Sequence, residues 1–381
     1  MSQAAIIPKK DQSTVHDALV FGAGFYGCSI ALRLRQSGLS VLVLEREHAP
    51  MLRASMANQA RVHAGYHYPR DYTTAWRSAE SMQRFVTRYR RAVVDNFTQL
   101  YAVASRGSHV SAGQFGSMMR SVGAPLKGAS RMHASLFSRN LVDSIYETQE
   151  YAFDSVALAG LIMQEALDAG VEFRFGLEVL SVREDTENVT IETSEGSHSG
   201  LQAFNCTYGR LHALHPVPLV RSIKYQVCEL CLVKPPPILQ DVGITIMDGP
   251  FWSCMPWPGR GLHSLSHVRH TPRISWVAQD QPDRDPYLEV DVARNEGSAF
   301  RAMLDDAARF VPAMADAAHV DSLWEVKAVL SASAVSDGRP ILLERSPGGR
   351  VSSVLGGKLD NVFDVLDALD LRDGGNLRES P

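Results

Sequence analysis

The stretch DALVFGAGFYGCSIALRLRQSGLSVLVLERE (residues 17–47) decides the fold. Its apolar run ALVF reads as a buried parallel strand, and CSIALRLRQSG reads as a helix closed by Gly38. Between them, Gly22-Ala23-Gly24-Phe25-Tyr26-Gly27 spells G-x-G-x-x-G at a strand-to-helix turn. Gly22 permits the tight turn, Gly24 leaves room for a pyrophosphate against the backbone, and Gly27 lets helix and strand pack closely. A second strand, SVLVLE, ends on Glu45, 23 residues after Gly22, near the spacing of about 20 for an acid that binds a ribose hydroxyl. The unit therefore predicts a dinucleotide site built from Gly22, Gly24, Phe25, Tyr26, Gly27, Glu45 and Arg46, with a helix N-terminus facing the negative charge.

Composition narrows the partners. At 381 residues and 45% hydrophobic content the chain can bury a large core, and its length favours two domains or one large α/β body. A net charge of −4 leaves no basic excess for a phosphate backbone, so small molecules rather than nucleic acid are expected. Residues 18–32 are uncharged but include three glycines and fall short of a membrane span. Residues 1–17 do not resemble a secretory signal, and a flexible tail is expected over 1–15. Five scattered cysteines do not suggest a disulfide framework, and a reducing cytoplasm is the simplest home. Cys228 and Cys231 form a C-x-x-C, but on an alternating strand they point to opposite faces, and no metal site is expected. His63 and His67 stand four apart around Gly65, without the glutamate of a zinc protease helix.

The glycine motif alone does not separate FAD from NAD. Three further stretches bear on the choice. NQARVHAGYHYPRD (residues 58–71), through Arg61-Val62-His63-Ala64-Gly65 and Tyr68, closely resembles the segment after the first βαβ unit in the D-amino-acid oxidase-like superfamily of FAD-dependent oxidoreductases. That superfamily includes glycine oxidase, L-2-hydroxyglutarate oxidase and glycerol-3-phosphate dehydrogenase. DSVALAGLIMQEALDAGVEFRFGLEVLSVR, with Asp154 as cap of an amphipathic helix, resembles the second half of the family's FAD domain. AFNCTYGR resembles its V-x-N-A-x-G turn. RVSSVLGGKLDNVFDVLDALDL resembles the C-terminal strand-GGK-helix element.

The resemblance implies FAD, bound non-covalently, although Cys254 and His63 are residues that could bond a flavin. It places Arg61, Val62, His63 and Ala64 beside the isoalloxazine and Val179 near the adenine. Thr207 and Gly209 fall close to the cofactor, and Gly356, Gly357 and Lys358 against the pyrimidine edge of the ring. There a helix N-terminus would stabilise the negative charge of the reduced flavin.

The implied fold is a Rossmann-like α/β FAD-binding domain in segments 16–90, 151–215 and 330–372. A substrate domain with a mixed, largely antiparallel sheet would take 91–150 and 216–329, and a second tail 373–381. In that second domain LHSLSHVRH places His263, Leu265, His267 and Arg269 on one strand face, a candidate lining of the substrate cavity. Phe251 and Trp252 are candidates for core or cavity wall.

The stretch SDGRPILLERSPGG resembles the family's G-x-R-P motif, which supplies an arginine for a substrate carboxylate. Here it lacks the intervening residue, so Arg339 is either that clamp or a turn arginine paired with Asp337 or Glu344. The implied activity is hydride removal from a CH–NH or CH–OH centre of a small substrate, carboxylate-bearing or biosynthetic, with electrons passing to oxygen or another acceptor. His63, His267 and Arg339 are its catalytic candidates. An NAD(P)H-dependent flavin monooxygenase and a non-catalytic FAD-binding scaffold are the alternatives.

Overall fold

The structure, a computed structural model, describes residues 15–331 and 340–369. The two expected tails, apart from Val15, and Arg339 with its neighbours Asp337 and Gly338 lie outside the described residues.

Two sheets carry the mixed α/β architecture. The eight-stranded sheet runs Val179–Glu184, Val189–Thr193, Gly196–Asn205, His16–Phe21, Val41–Leu44, Glu172–Arg174, with Val351–Leu355 beside Gly196–Asn205 and Leu342–Arg345 outside it. His16–Phe21 pairs in parallel with both neighbours. Its residues Ala18 to Phe21 are wholly buried, because helices and neighbouring strands cover both faces. Helices Phe25–Gln36, Ser155–Asp168 and Val362–Ala368 pack on one side through Ile30, Leu34, Leu158, Ile162, Val362 and Val365. Asp154 caps the second of these helices, its carboxylate accepting from Val156 and Ala157 N–H, and Gly170 at φ +87° follows its end.

The nine-stranded sheet is antiparallel except where Val242–Met247 runs parallel to Thr98–Ala104. Its long centre is Ile223–Lys234, paired with Ala318–Leu330 along almost its whole length. Helix Phe300–Phe310 closes the far face with Met303, Leu304, Ala307 and Phe310, which pack on Cys231, Val233, Cys254 and Leu265. A three-stranded ribbon of Arg61–Val62, Tyr151–Phe153 and Val93–Val94 lies apart from both sheets. Among the described residues no helix is long and apolar enough to cross a membrane.

Two local expectations are corrected. On the face of Leu262–His267 that carries His263 and Leu265, these two turn to the core under helix Phe300–Phe310, while His267 at the strand's end borders the cavity. Ser266, on the opposite face, takes a hydrogen bond from Gln59 instead. In addition, the residues after Gly356-Gly357 do not enter an α-helix directly. A 3-10 turn, Leu359–Asn361, comes first, and the helix starts at Val362.

Candidate active site

Between the sheets lies one continuous cavity of about 1090 Å³, at the upper end of the range for small-molecule sites. It runs from Glu45, Arg46 and Val179 past Gly22, Gly24 and Thr207 to Gly356, Gly357 and Lys358, and on to His63, His67 and Trp252.

At its first end the backbone leaves no choice of residue. Gly22 sits at φ +102°, and a Cβ there would lie 2.7 Å from the Cys206 carbonyl oxygen. A Cβ on Gly27 would overlap the Gly22 carbonyl, so the helix packs onto its own turn. Gly24, at the N-cap position, has no side chain of its own to cap the helix, and the helix's positive end borders the cavity. Ser55 stands over that turn, its Oγ accepting from Phe25 N–H at 3.0 Å. Glu45 accepts from Ala23 N–H at 2.6 Å and Glu47 N–H at 2.8 Å. Burial pushes its carboxyl up, against those two bonds. Tyr287 is flanked by two guanidinium groups, Arg46 at 4.2 Å and Arg53 at 4.3 Å from the ring centre. Arg53 also forks onto Glu325 at 2.9 and 3.2 Å. Gly209 is not on the wall; it fits under Tyr287, whose hydroxyl would lie 2.8 Å from a Cβ there.

The C-terminal loop is held by Tyr26, which donates to the Lys358 carbonyl at 2.6 Å. Gly356 is required by that same hydroxyl, which a Cβ would overlap. Lys358 is buried: its Nζ bonds Ser78 Oγ, lies 4.8 Å from the Tyr68 ring centre and 3.8 Å from Asp360. Its positive charge is fixed at the cavity rather than spread in solvent.

In the segment of residues 61–70, Val62 and Ala64 point into packed cores, while His63 and His67 line the cavity with ring centres 5.7 Å apart. Arg61 borders the cavity but spends its donors within the protein. Nη1 meets Tyr101 Oη at 2.8 Å and Glu150 Oε2 at 3.1 Å, Nη2 meets Thr245 Oγ1 at 3.1 Å and Ser253 Oγ, and Nε meets Met255 Sδ at 2.9 Å. Both side chains of the Arg61–Glu150 pair are wholly buried. Burial raises the Glu150 carboxyl, with Arg61 and Tyr101 opposing that rise.

His267 reaches the cavity edge, yet its Nε2 pairs with Asp306 at 3.0 Å and its Nδ1 accepts from Arg269 N–H at 3.0 Å. Both ring nitrogens are thus held. At the mouth Arg70 pairs with Asp248 at 2.6 Å. Cys254 packs beside His263 in the far core and does not border the cavity. Cys228 faces the cavity and Cys231 the core. Glu229, Cys231 and His319 could gather a cation, but the Arg273 guanidinium already lies 3.0 Å from Glu229.

Residues 17–357 match the family described as FAD dependent oxidoreductase. The chain belongs to that family. Among solved structures, glycine oxidase from Geobacillus kaustophilus is similar at a TM-score of 0.70 and 17% identity, over 97% of this chain and 100% of that one. L-α-glycerophosphate oxidase from Mycoplasma pneumoniae, with FAD bound, is similar at 0.72 and 13%, over 97% of each chain. The FAD-dependent monooxygenase FPY4 of Fusarium mangiferae is 27% identical over 360 residues, 91% of this chain and 88% of that protein.

FAD is the cofactor of this family, and the residues present fit it. The helix end at Gly24 suits a pyrophosphate and the acid at Glu45 a ribose, and the same cavity is lined by both and by the loop at Gly357. Several residues of this FAD dependent oxidoreductase escaped the sequence reading: Ser55, Arg53, Tyr287, Glu325, Glu150 and Asp248. Asp248 lies just before Phe251 and Trp252, but its partner Arg70 is 178 residues away, and no local pattern joins them.

Proposed function

We propose that this FAD dependent oxidoreductase oxidises a CH–NH or CH–OH centre of a small molecule held between His63 and Trp252. Segments 16–90, 151–215 and 330–372 would grip a non-covalent FAD, and 91–150 and 216–329 would enclose the substrate. The observation that supports this reading is the chamber beyond Lys358, continuous with the cofactor trench and lined by His63, His67, Thr245, Met247 and Trp252. Bound FAD would supply the acceptor for one hydride, which carries both electrons of the oxidation. The chain supplies placement and proton handling.

His63, 15% exposed, is the side chain that would accept the substrate's N–H or O–H proton. The buried indole of Trp252 would exclude water. Arg70, released from Asp248, would meet an acidic group on the substrate at the mouth. His267, with both nitrogens engaged, would brace the wall rather than touch substrate. Arg339 stays a proposed carboxylate clamp, tested by R339K: a strongly raised KM supports it, and unchanged kinetics removes it.

The similarity to a protein named a monooxygenase favours a second reading, hydroxylation of the substrate with NAD(P)H as reductant. Anaerobic mixing of the yellow holoenzyme separates the two. Bleaching by an amine, amino acid or hydroxy acid without nicotinamide supports the first. Rapid bleaching by NADPH, with none by that panel, supports the second.

A further inference from the structure

The buried Arg61–Glu150 cluster behind His63 is built at high cost. Taking a guanidinium and a carboxylate together out of water is stabilising only when geometry satisfies both, and here Tyr101, Thr245, Ser253 and the Ala64 amide do so. Such a cluster fixes the direction of each oxygen of Glu150. Oε2 takes Arg61 at 3.1 Å and Tyr101 at 2.7 Å. Oε1 takes Ala64 N–H at a long 3.3 Å and faces His63 Nδ1 at 3.7 Å. Nδ1 is buried, whereas the ring as a whole borders the cavity.

We propose that Glu150 is a positioning residue for His63: its anchored carboxylate accepts the Nδ1 proton and so keeps Nε2 unprotonated toward the substrate. The proposal rests on the reading of His63 as proton acceptor given above. The proton then moves from the substrate N–H or O–H to Nε2, forming an imidazolium that Glu150 stabilises, and later passes to solvent. Distances of this kind are commonly long before substrate binds and shorten in the complex. Without an orienting acceptor a neutral imidazole can carry its proton on either nitrogen, and only one form can take a proton from the cavity.

Among the described residues, the groups facing the ring include Glu150 behind it, with Arg61 and Tyr101 on that carboxylate, and His67 and Tyr68 at 5.7 and 5.8 Å from ring centre to ring centre. Lys358 lies beyond Tyr68. Of these, Glu150 alone supplies negative charge. In E150Q the Arg61 charge is left unopposed, which disfavours the imidazolium.

The test is nitrogen NMR of holoenzyme labelled with 15N-histidine, the His63 signals being assigned among thirteen histidines by their loss in H63Q. An Nδ1-protonated tautomer at neutral pH in the wild type supports the proposal. So does a downward shift of about one pH unit in the His63 titration and in the acid limb of kcat/KM in E150Q. An Nε2-protonated tautomer in the wild type overturns it whatever the substrate proves to be. The wild-type measurement stands even if E150Q fails to fold, and Y101F, which keeps both charges, then serves as the variant: a loosened, mixed tautomer supports the anchoring and an unchanged one overturns it. H63Q with wild-type kcat would instead overturn the underlying assignment of His63, and the tautomer measurement would still read correctly.

Discussion

At Gly27 a single methyl group decides whether the nucleotide turn can form. A Cβ there overlaps the Gly22 carbonyl, and that carbonyl belongs to backbone with no freedom to yield. G27A is expected to lose about 1–3 kcal/mol in stability from the forced displacement. FAD affinity should fall at least tenfold if, as proposed, this helix end holds the pyrophosphate, since it must shift. Thermal melting and flavin-fluorescence titration check both, and wild-type values would show that the turn tolerates the methyl. Gly356 looks the same in sequence but has another reason to be glycine. Its close neighbour is the Tyr26 hydroxyl, so the residue serves the contact between two loops as much as any approach of the cofactor.

At the scale of elements, Arg61 on the Arg61–Val62 strand is the charge paired directly with the buried Glu150 carboxylate. R61M should cost about 3–5 kcal/mol at pH 8, because Glu150 is left buried and unpaired. The sign follows from its raised pKa: the penalty is absent below the carboxyl's unfolded-state pKa, where Glu150 is protonated folded or unfolded, and grows as pH rises. Urea unfolding at pH 5 and pH 8 should therefore show a larger deficit at pH 8; an equal deficit at both would place the effect in packing.

What could be read from sequence divides at this scale. The first strand, its glycine turn and the following helix are contiguous, so their periodicity and punctuation were legible. For Leu262–His267, alternation gave two faces correctly but not which one meets the core. That depends on helix Phe300–Phe310, much further along the chain, and the core took His263 and Leu265 while His267 stayed at the cavity edge. Likewise Arg61 stood out in the motif, while its partners Glu150, Thr245 and Ser253 come from 89 to 192 residues further on. No short window contains them.

Over the whole molecule, buried imidazoles set the response to acid. His198, His212, His215, His263 and His267 are all shifted down by burial, His263 to about 4 from 6.5. A depressed folded-state pKa gives stability that is present above the unfolded value and lost as pH falls through the folded one. Unfolding free energy should thus decline from about pH 6.5 toward pH 4, His263 alone contributing on the order of 3 kcal/mol. H263Q should flatten that decline, as read by denaturant titration across the range; an undiminished slope would assign it to other groups.

The hydroxyl of Tyr26 reaching the carbonyl of Lys358, 332 positions later, has a consequence during synthesis. A chain emerging from the ribosome exposes its glycine turn long before the Gly356–Lys358 loop that borders the same cavity. Strands His16–Phe21 and Gly196–Asn205 must also wait for each other across a long separation, which slows assembly. Capture of the yellow cofactor is accordingly expected only after that loop has been made, so its supply in the cell should bear on how much newly made protein matures.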